Sequence, residues 1–225
     1  MTKLVLLPGM DGTGELFKPL LDALGDRRGV QVISYPTDRA LGYEELSTIV
    51  RNALPVDEPY VILAESFSGP IAIIMAAEQH RMLKGLILCC TFARNPRPFW
   101  RWSSPVLPAA QVPMTLLSLL LLGRFSTASL RTALAKAVAK VSPVVLRQRM
   151  RAVTGVDVSA MLRRVTAPCL YLRASQDHVV PANASAHIKT LLPAAQVQQI
   201  DAPHCLLQAA PNEAARAISS FMREL

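Results

Sequence analysis

Short apolar segments alternate with longer amphipathic segments along most of the chain. Six of the apolar segments predict β-strands: 3–7, 29–34, 60–64, 85–90, 168–173 and 196–200. Most of them are apolar at consecutive positions rather than at alternate ones, which is typical of strands that are buried on both faces of a parallel sheet.

Helical patterns occupy the intervals between these strands. They cover residues 15–24, 43–54, 69–79 and 182–192, and a last one over 212–225 repeats apolar residues at helical spacing. Strands that alternate with helices predict an α/β fold, in which helices and right-handed crossovers surround a doubly wound, mostly parallel sheet of about six strands.

One region, residues 94–164, interrupts the alternation. It has no convincing strand pattern and contains six prolines, so we interpret it as an insertion into a core made of residues 1–93 and 165–225. Its most apolar run, 114–122, is much shorter than the roughly 20 residues that a membrane-spanning helix needs. A second helical pattern covers 129–141. We therefore expect a helical insertion and no transmembrane segment.

The insertion also carries the excess positive charge of the chain. It has twelve Lys and Arg residues against one acid, Asp157, so its net charge is +11, and the remaining residues bring the total to +8. This charge either keeps an apolar helical layer in solution or binds anions, and peripheral contact with a membrane stays open. Nucleic acid is a poor fit, because only Trp100 and Trp102 lie close to the arginines and no binding motif is present.

The composition predicts a folded chain of 225 residues with a large core, since 51% of its residues are hydrophobic. The apolar run before Pro8 is too short for a signal peptide, so we expect a cytoplasmic protein. The spacing of the cysteines predicts neither disulfides nor a zinc site, and we expect no metal or cofactor. These cysteines are Cys89, Cys90, Cys169 and Cys205.

The stretch LAESFSGP, residues 63–70, ends a strand pattern abruptly in small and polar residues. Its centre, 64–68, has the order small-x-Ser-x-small, which between a strand and a helix places the serine on a sharp turn. We therefore predict Ser66 as a nucleophile. Ser68 is the weaker candidate, because Pro70 two residues later suits the first turn of a helix. Helix capping by either serine is the alternative interpretation.

Three more turns follow predicted strands. In LLPGMDGTG, residues 6–14, the backbone N–H of Met10 is placed to join that of Phe67 in holding an oxyanion, and the glycine spacing matches no nucleotide-binding motif. Asp177 in YLRASQDHVVP and His204 in IDAPHCLLQAAP follow the fifth and sixth strands, at the edge where sites of such sheets lie. The chain order Ser66, Asp177, His204 predicts a catalytic triad.

Together, LPGMDGTG, AESFSGP, SQDHVVP and APHCLLQAAP make the chain resemble the α/β-hydrolase superfamily, and most closely its small bacterial members. The resemblance covers both ends of the chain and omits only 94–164. It implies that the family's first two strands are missing and that the insertion forms a helical cap over the active site. The chain departs from the family pattern at Pro8, Glu65, Ser68 and Pro203, and none of these departures removes a predicted catalytic group.

These features predict a serine hydrolase that cleaves a carboxylic ester or thioester through an acyl-enzyme on Ser66. His204 would act as general base and then as general acid, and Asp177 would orient it. Two alternatives stay open: an acyltransferase that uses the same triad, and a non-catalytic binding protein. The expected substrate is a small acyl ester or thioester, and an anionic head group would match the basic insertion.

Overall fold

The computed structural model describes residues 2–25, 29–98 and 113–225. Its centre is a single sheet in which every strand pairing is parallel. The strands are β1 (Lys3–Leu7), β2 (Val30–Val32), β3 (Tyr60–Glu65), β4 (Leu83–Cys89), β5 (Cys169–Gln176) and β6 (Gln196–Pro203), and they lie in the order β2-β1-β3-β4-β5-β6. The prediction of an α/β fold built on about six strands is confirmed.

Helices fill the connections between the strands. The α-helices of the described ranges are α1 (Lys18–Leu24), α2 (Tyr43–Ala53), α3 (Gly69–Ala77), α4 (Met114–Leu122), α5 (Ala128–Ala139), α6 (Pro143–Gly155), α7 (Ser159–Leu162), α8 (Ala182–Leu191), α9 (Leu206–Ala209) and α10 (Pro211–Arg223). Short 3-10 segments cover Glu15–Phe17, Ser66–Ser68 and Gly123–Phe125. Among the described residues, we find no helix with the length and apolar character that a membrane crossing requires.

The sheet is buried between two layers of helices, because successive side chains of a strand point to opposite faces. Leu4 and Leu6 of β1 lie in a cluster with residues of α1 and α10. Val5 and Leu7 of the same strand lie in the cluster on the other face, with residues of α2, α3 and α8. Helices therefore cover both faces, as a doubly wound fold requires.

The predicted strands differ from the observed ones mainly at the two edges of the sheet. The edge strand β2 is shorter than the predicted 29–34, and its three residues are not fully buried. The other edge strand, β6, continues past the predicted 196–200, because its pairing with β5 resumes at Gln176 and Pro203 after an irregularity. This extension carries the chain directly to His204.

The segment between β4 and β5 contains the helices α4 to α7. The apolar run 114–122 forms α4, and the pattern over 129–141 corresponds to α5. An isolated antiparallel bridge between Arg94 and Asp157 joins the two ends of the segment. Trp100 and Trp102, which entered the argument about nucleic acid, lie outside the described residues.

Candidate active site

The predicted site residues lie at the carboxyl edge of the sheet. The strand order reverses at β1, since β2 lies on one side of it and β3 on the other. Sites of open α/β sheets collect at such a reversal. The pairing of Leu7 with Ala64 brings the loop after β1 beside the turn after β3, so the surroundings of Met10 and Ser66 adjoin.

Ser66 lies on the tight turn between β3 and α3. Its φ angle is 49°, in the left-handed region that residues other than glycine adopt only when surrounding contacts enforce it. The hydroxyl of Thr91, just after β4, donates a hydrogen bond to the Ser66 carbonyl. A Cβ atom on Gly69 would lie 1.9 Å from the Thr91 hydroxyl oxygen, so the start of α3 has no room for a side chain.

The three residues predicted as a triad form a line of hydrogen-bond contacts. Ser66 Oγ is 2.8 Å from His204 Nε2. On the other side of the ring, His204 Nδ1 is 3.0 and 2.9 Å from the carboxylate oxygens of Asp177. Because an ionised carboxylate only accepts hydrogen bonds, Nδ1 carries the imidazole hydrogen and Nε2 offers a lone pair to the Ser66 hydroxyl.

The Asp177 carboxylate is fixed by its own turn. Its Oδ1 accepts hydrogen bonds from the backbone N–H groups of Val179, at 2.9 Å, and Val180, at 2.8 Å. Burial acts to raise the pKa of Asp177, but the proximity of His204 and these N–H groups outweigh it, so the pKa lies below its ordinary value. The carboxyl group is therefore ionised and can stabilise a positive charge on His204.

Ser68, the weaker candidate nucleophile, is engaged in supporting contacts. It is fully buried, and its hydroxyl donates a hydrogen bond to the Pro8 carbonyl. Because that bond uses its hydrogen, the Tyr35 hydroxyl, 2.6 Å away, donates to Ser68 Oγ. Ser68 therefore ties the turn after β3 to the loop after β1.

The backbone N–H groups predicted to hold an oxyanion belong to Phe67 and Met10. Phe67 follows Ser66 directly, and its buried ring stacks on Tyr43 with centroids 4.8 Å apart. The Tyr43 hydroxyl also donates to the Phe67 carbonyl at 3.0 Å. Met10 lies in the neighbouring loop after β1. Both backbone segments adjoin Ser66, and their role as oxyanion donors stays a prediction.

Arg149 of α6 is a residue of this region that the sequence did not single out. It is 1% exposed, although it belongs to the basic insertion. Its Nη1 donates to the carbonyls of Met10 and Asp11 at 2.7 and 2.9 Å, and its Nη2 donates to that of Pro36 at 2.9 Å. The available signal was its spacing of four residues from the apolar Val145, which places both on the buried side of α6.

Two acidic side chains are buried behind the turn after β3. Glu65 is 6% exposed and Asp11 is 7% exposed, and a Cβ atom on Gly9 would lie 3.8 Å from a carboxylate oxygen of each. Burial, and secondarily the charge of Asp11, raises the pKa of Glu65 to about 7, against the opposite effects of a hydrogen bond from Gln208 and the proximity of His204. Glu65 therefore holds a proton for much of the time at neutral pH.

The cysteines are free and buried. Burial is the main cause that raises the pKa of each thiol, so the four side chains stay protonated and behave as small apolar groups. Within residues 2–25, 29–98 and 113–225, no group of three or more His, Cys, Asp and Glu side chains is arranged to hold a metal ion.

Several solved enzymes share this fold. A hydrolase from Oleispira antarctica superposes with a TM-score of 0.82 at 16% identity, covering 100% of this chain and 92% of that chain. An enol-lactonase from Burkholderia xenovorans LB400 gives 0.77 at 15% identity, covering 99% and 91%. A bromoperoxidase from Bacillus anthracis gives 0.82 at 15% identity, covering 99% and 92%. At such identities, the likeness shows the fold and leaves the reaction open.

No curated protein sequence matches the chain significantly. A family model described as "Alpha/beta hydrolase family", however, matches residues 4–217. This match includes the turns that carry Met10, Ser66, Asp177 and His204, and it agrees with the parallel sheet and its flanking helices. The resemblance inferred from the motifs is thereby confirmed, and the chain belongs to the alpha/beta hydrolase family.

Proposed function

We propose that the protein is a serine hydrolase that cleaves a carboxylic ester or thioester. The observation that carries the proposal is the line of contacts from Asp177 through His204 to Ser66. His204 is 27 residues from Asp177 and 138 residues from Ser66 in the chain, and all three meet at one edge of the sheet. A serine, an imidazole and a carboxylate in this order form the arrangement that activates a serine hydroxyl.

Acylation begins when the Ser66 hydroxyl attacks the carbonyl carbon of the substrate. His204 Nε2 takes the hydroxyl proton while the bond between Oγ and carbon forms. The Asp177 carboxylate stabilises the resulting imidazolium through Nδ1. His204 then gives the proton to the leaving oxygen or sulfur as its bond to the carbonyl carbon breaks, and the acyl group stays on Ser66.

During this step, the carbonyl oxygen of the substrate becomes negatively charged. We assign the N–H groups of Phe67 and Met10 as its hydrogen-bond donors. The stacking of Phe67 on Tyr43 and the bond from Arg149 to the Met10 carbonyl support this assignment, because both hold the backbone in place. Losing one preorganised donor of this kind raises the activation barrier by about 3 kcal/mol.

A water molecule completes the reaction by attacking the acyl carbon. His204 again takes a proton, now from the water, and returns it to Ser66 Oγ as the acyl-enzyme bond breaks. If another hydroxyl, amine or thiol replaced water at this stage, the same residues would catalyse acyl transfer. Analysis of the products in the presence of candidate acceptors distinguishes the two reactions.

A fluorophosphonate probe tests the proposal, because it reacts with a serine hydroxyl that a neighbouring base activates. We expect the wild-type protein to be labelled and to hydrolyse p-nitrophenyl esters. Ser66→Ala should abolish labelling and lower kcat by at least about 10⁴-fold, as expected for a nucleophile that acts as a unit with its base. Peptide mapping of the labelled protein should place the probe on Ser66.

Ser68→Ala is the matched control. It removes the hydrogen bonds to Pro8 and Tyr35 and should lower the free energy of unfolding by about 1–2 kcal/mol, while labelling and most of the activity are kept. A wild-type protein that is not labelled and does not turn over esters would contradict the proposal and favour a binding protein. Labelling that survives Ser66→Ala but disappears in Ser68→Ala would move the nucleophile to Ser68.

A further inference from the structure

Arg149 occupies an unusual place for a charged residue of a helix at the protein surface. It is 1% exposed, whereas Arg147 and Arg151, two positions before and after it in α6, are exposed. Burial lowers the pKa of Arg149, and the negative charge of Asp11 acts against this effect. Because a buried cation costs free energy unless its N–H groups are bonded, this position requires defined acceptors.

The acceptors are backbone carbonyls of two separate loops. Arg149 Nη1 bonds to Met10 and Asp11 in the loop after β1, and Nη2 bonds to Pro36 in the segment after β2. The guanidinium also lies 5.7 Å from the centroid of the Tyr35 ring. A planar group with donors at fixed angles can meet these acceptors together, which a lysine ammonium does less well.

The loop after β1 has a shape that admits this side chain. A Cβ atom on Gly12 would lie 2.6 Å from Arg149 Nη1 and 2.9 Å from Nη2. The φ angle of Gly12 is +70°, a conformation that glycine adopts without steric cost. The backbone and the neighbouring guanidinium therefore both favour glycine at this position.

The Met10 N–H group belongs to the turn that Arg149 binds. Residues 9–12 form a turn that is closed by a hydrogen bond of 3.1 Å from the Gly12 N–H to the Gly9 carbonyl. The Gly9 carbonyl and the Met10 N–H belong to one peptide plane and point in opposite directions. Arg149 binds the carbonyls of both central residues of this turn, Met10 and Asp11, and so restrains the two peptide planes that follow.

We propose that Arg149 is a positioning residue for the oxyanion hole, through which the insertion holds the loop after β1 in its catalytic conformation. The proposal rests on the proposed function, because it takes the Met10 N–H as an oxyanion donor. Arg149 acts through backbone carbonyls and does not contact the reacting atoms. Its loss should therefore weaken transition-state stabilisation while substrate binding in the ground state changes little.

Arg149→Met tests this inference, because it keeps an unbranched side chain and removes the N–H donors. Activity is measured on a neutral p-nitrophenyl ester, with active sites counted by a fluorophosphonate. We expect kcat per active site to fall at least about tenfold and KM to change less than about threefold, the pattern of an interaction made in the transition state. Arg149→Lys should give an intermediate kcat. Arg147→Met and Arg151→Met, the matched controls, should behave as the wild type.

Hydrogen exchange of the backbone amides in residues 8–14, followed by mass spectrometry without substrate, is the second readout. Exchange should be faster in Arg149→Met than in the wild type and in Arg147→Met. A residue with a structural role alone would lower the melting temperature and the number of active sites but leave kcat per site unchanged, and this result would overturn the proposal. If Arg149→Met does not fold, the same comparison is made with Arg149→Lys, whose unchanged kcat would also overturn it.

The two proposals fail in different ways. A wild-type protein without ester turnover or labelling would refute the proposed function, and with it the role of Arg149 in catalysis. An active wild type combined with an unchanged kcat per active site in Arg149→Met, or in Arg149→Lys if Arg149→Met does not fold, would refute the positioning role alone.

Discussion

The turns at the carboxyl edge of the sheet and the insertion between β4 and β5 both bring polar side chains to the candidate site, by different means. Ser66, Asp177 and His204 are each the first residue after a strand, so the sheet itself sets their positions. In the insertion, contact with the core depends on the side of a helix, and Arg149 is buried while Arg147 is exposed. At the sheet edge, the position of a residue directly after a strand indicates its function. In the insertion, the function of a residue is recognised from its tertiary contacts.

The cations of the insertion also differ among themselves. Arg124 pairs with Asp201 at 2.7 Å and Lys140 pairs with Glu15, and the side chains in both pairs are more than half exposed. Exposed pairs of this kind contribute about 0–1 kcal/mol each. They join the insertion to the core at low energetic gain, whereas the buried Arg149 has three specific acceptors. A charge count alone treats these residues as equal.

After Ser66→Ala, the largest effects should come from the residues that directly follow β5 and β6. His204→Ala and Asp177→Asn should each lower kcat by at least about a hundredfold, because the three residues act as a unit. His178→Ala, a change in the exposed neighbour of Asp177, should leave kcat within about twofold of the wild type. Steady-state kinetics on a p-nitrophenyl ester measures all three variants. Near-normal turnover by Asp177→Asn would break the link between strand-end position and function.

Glu65 sharpens the comparison between strand-end residues. It is the last residue of β3, and its side chain is buried, whereas that of the next residue, Ser66, contacts His204. The pKa of Glu65 is raised from 4.5 to about 7, so the folded protein keeps a proton that the unfolded chain loses above pH 4.5. The free energy of unfolding should therefore decrease through this group as the pH rises from 4.5 to 7, by up to about 3 kcal/mol, and level off above.

Glu65→Gln removes this titration. Urea denaturation at pH 5 and pH 8 should show that the variant gains stability relative to the wild type at the higher pH. An equal difference between the two proteins at both pH values would contradict the shifted pKa of Glu65. The comparison within each pH cancels the titration of groups that are distant from Glu65.

The smallest effect should concern the exposed cations of the insertion as a set. If they attract an anionic head group, kcat/KM for an anionic acyl thioester should decrease a few-fold from low to high salt, because screening beyond about 8 Å weakens such attraction at physiological ionic strength. A neutral ester of equal acyl length provides the control. Equal salt dependence of the two substrates would contradict an attraction of the head group by the exposed cations. The positioning role proposed for Arg149 would then be the specific contribution of the insertion.

The fold and the meeting of Ser66, Asp177 and His204 at one edge of the sheet could be predicted from the sequence for the same physical reason. Buried parallel strands are apolar at consecutive positions and end where the chain turns, so Ser66, Asp177 and His204 could be located without coordinates. The end of β6 was placed too early, because Asp201, which is exposed, and Pro203 are not typical strand residues, whereas the pairing with β5 resumes at Pro203 after an irregularity. The spacing from Val145 distinguishes Arg149 from Arg147 and Arg151, but the contacts of Arg149 could not be predicted, because its acceptors are backbone carbonyls far away in the chain.

Asp177 and His204 follow β5 and β6 directly, and this limits where related sequences can gain or lose residues. Side chains alternate between the faces of a strand, so one residue inserted within β5 or β6 would turn Asp177 or His204 toward the wrong side. Residues added beyond Val180 or beyond α9 shift neither side chain. Natural length variation, and engineered insertions, should therefore be accommodated after the two site residues and rejected within the strands that lead to them.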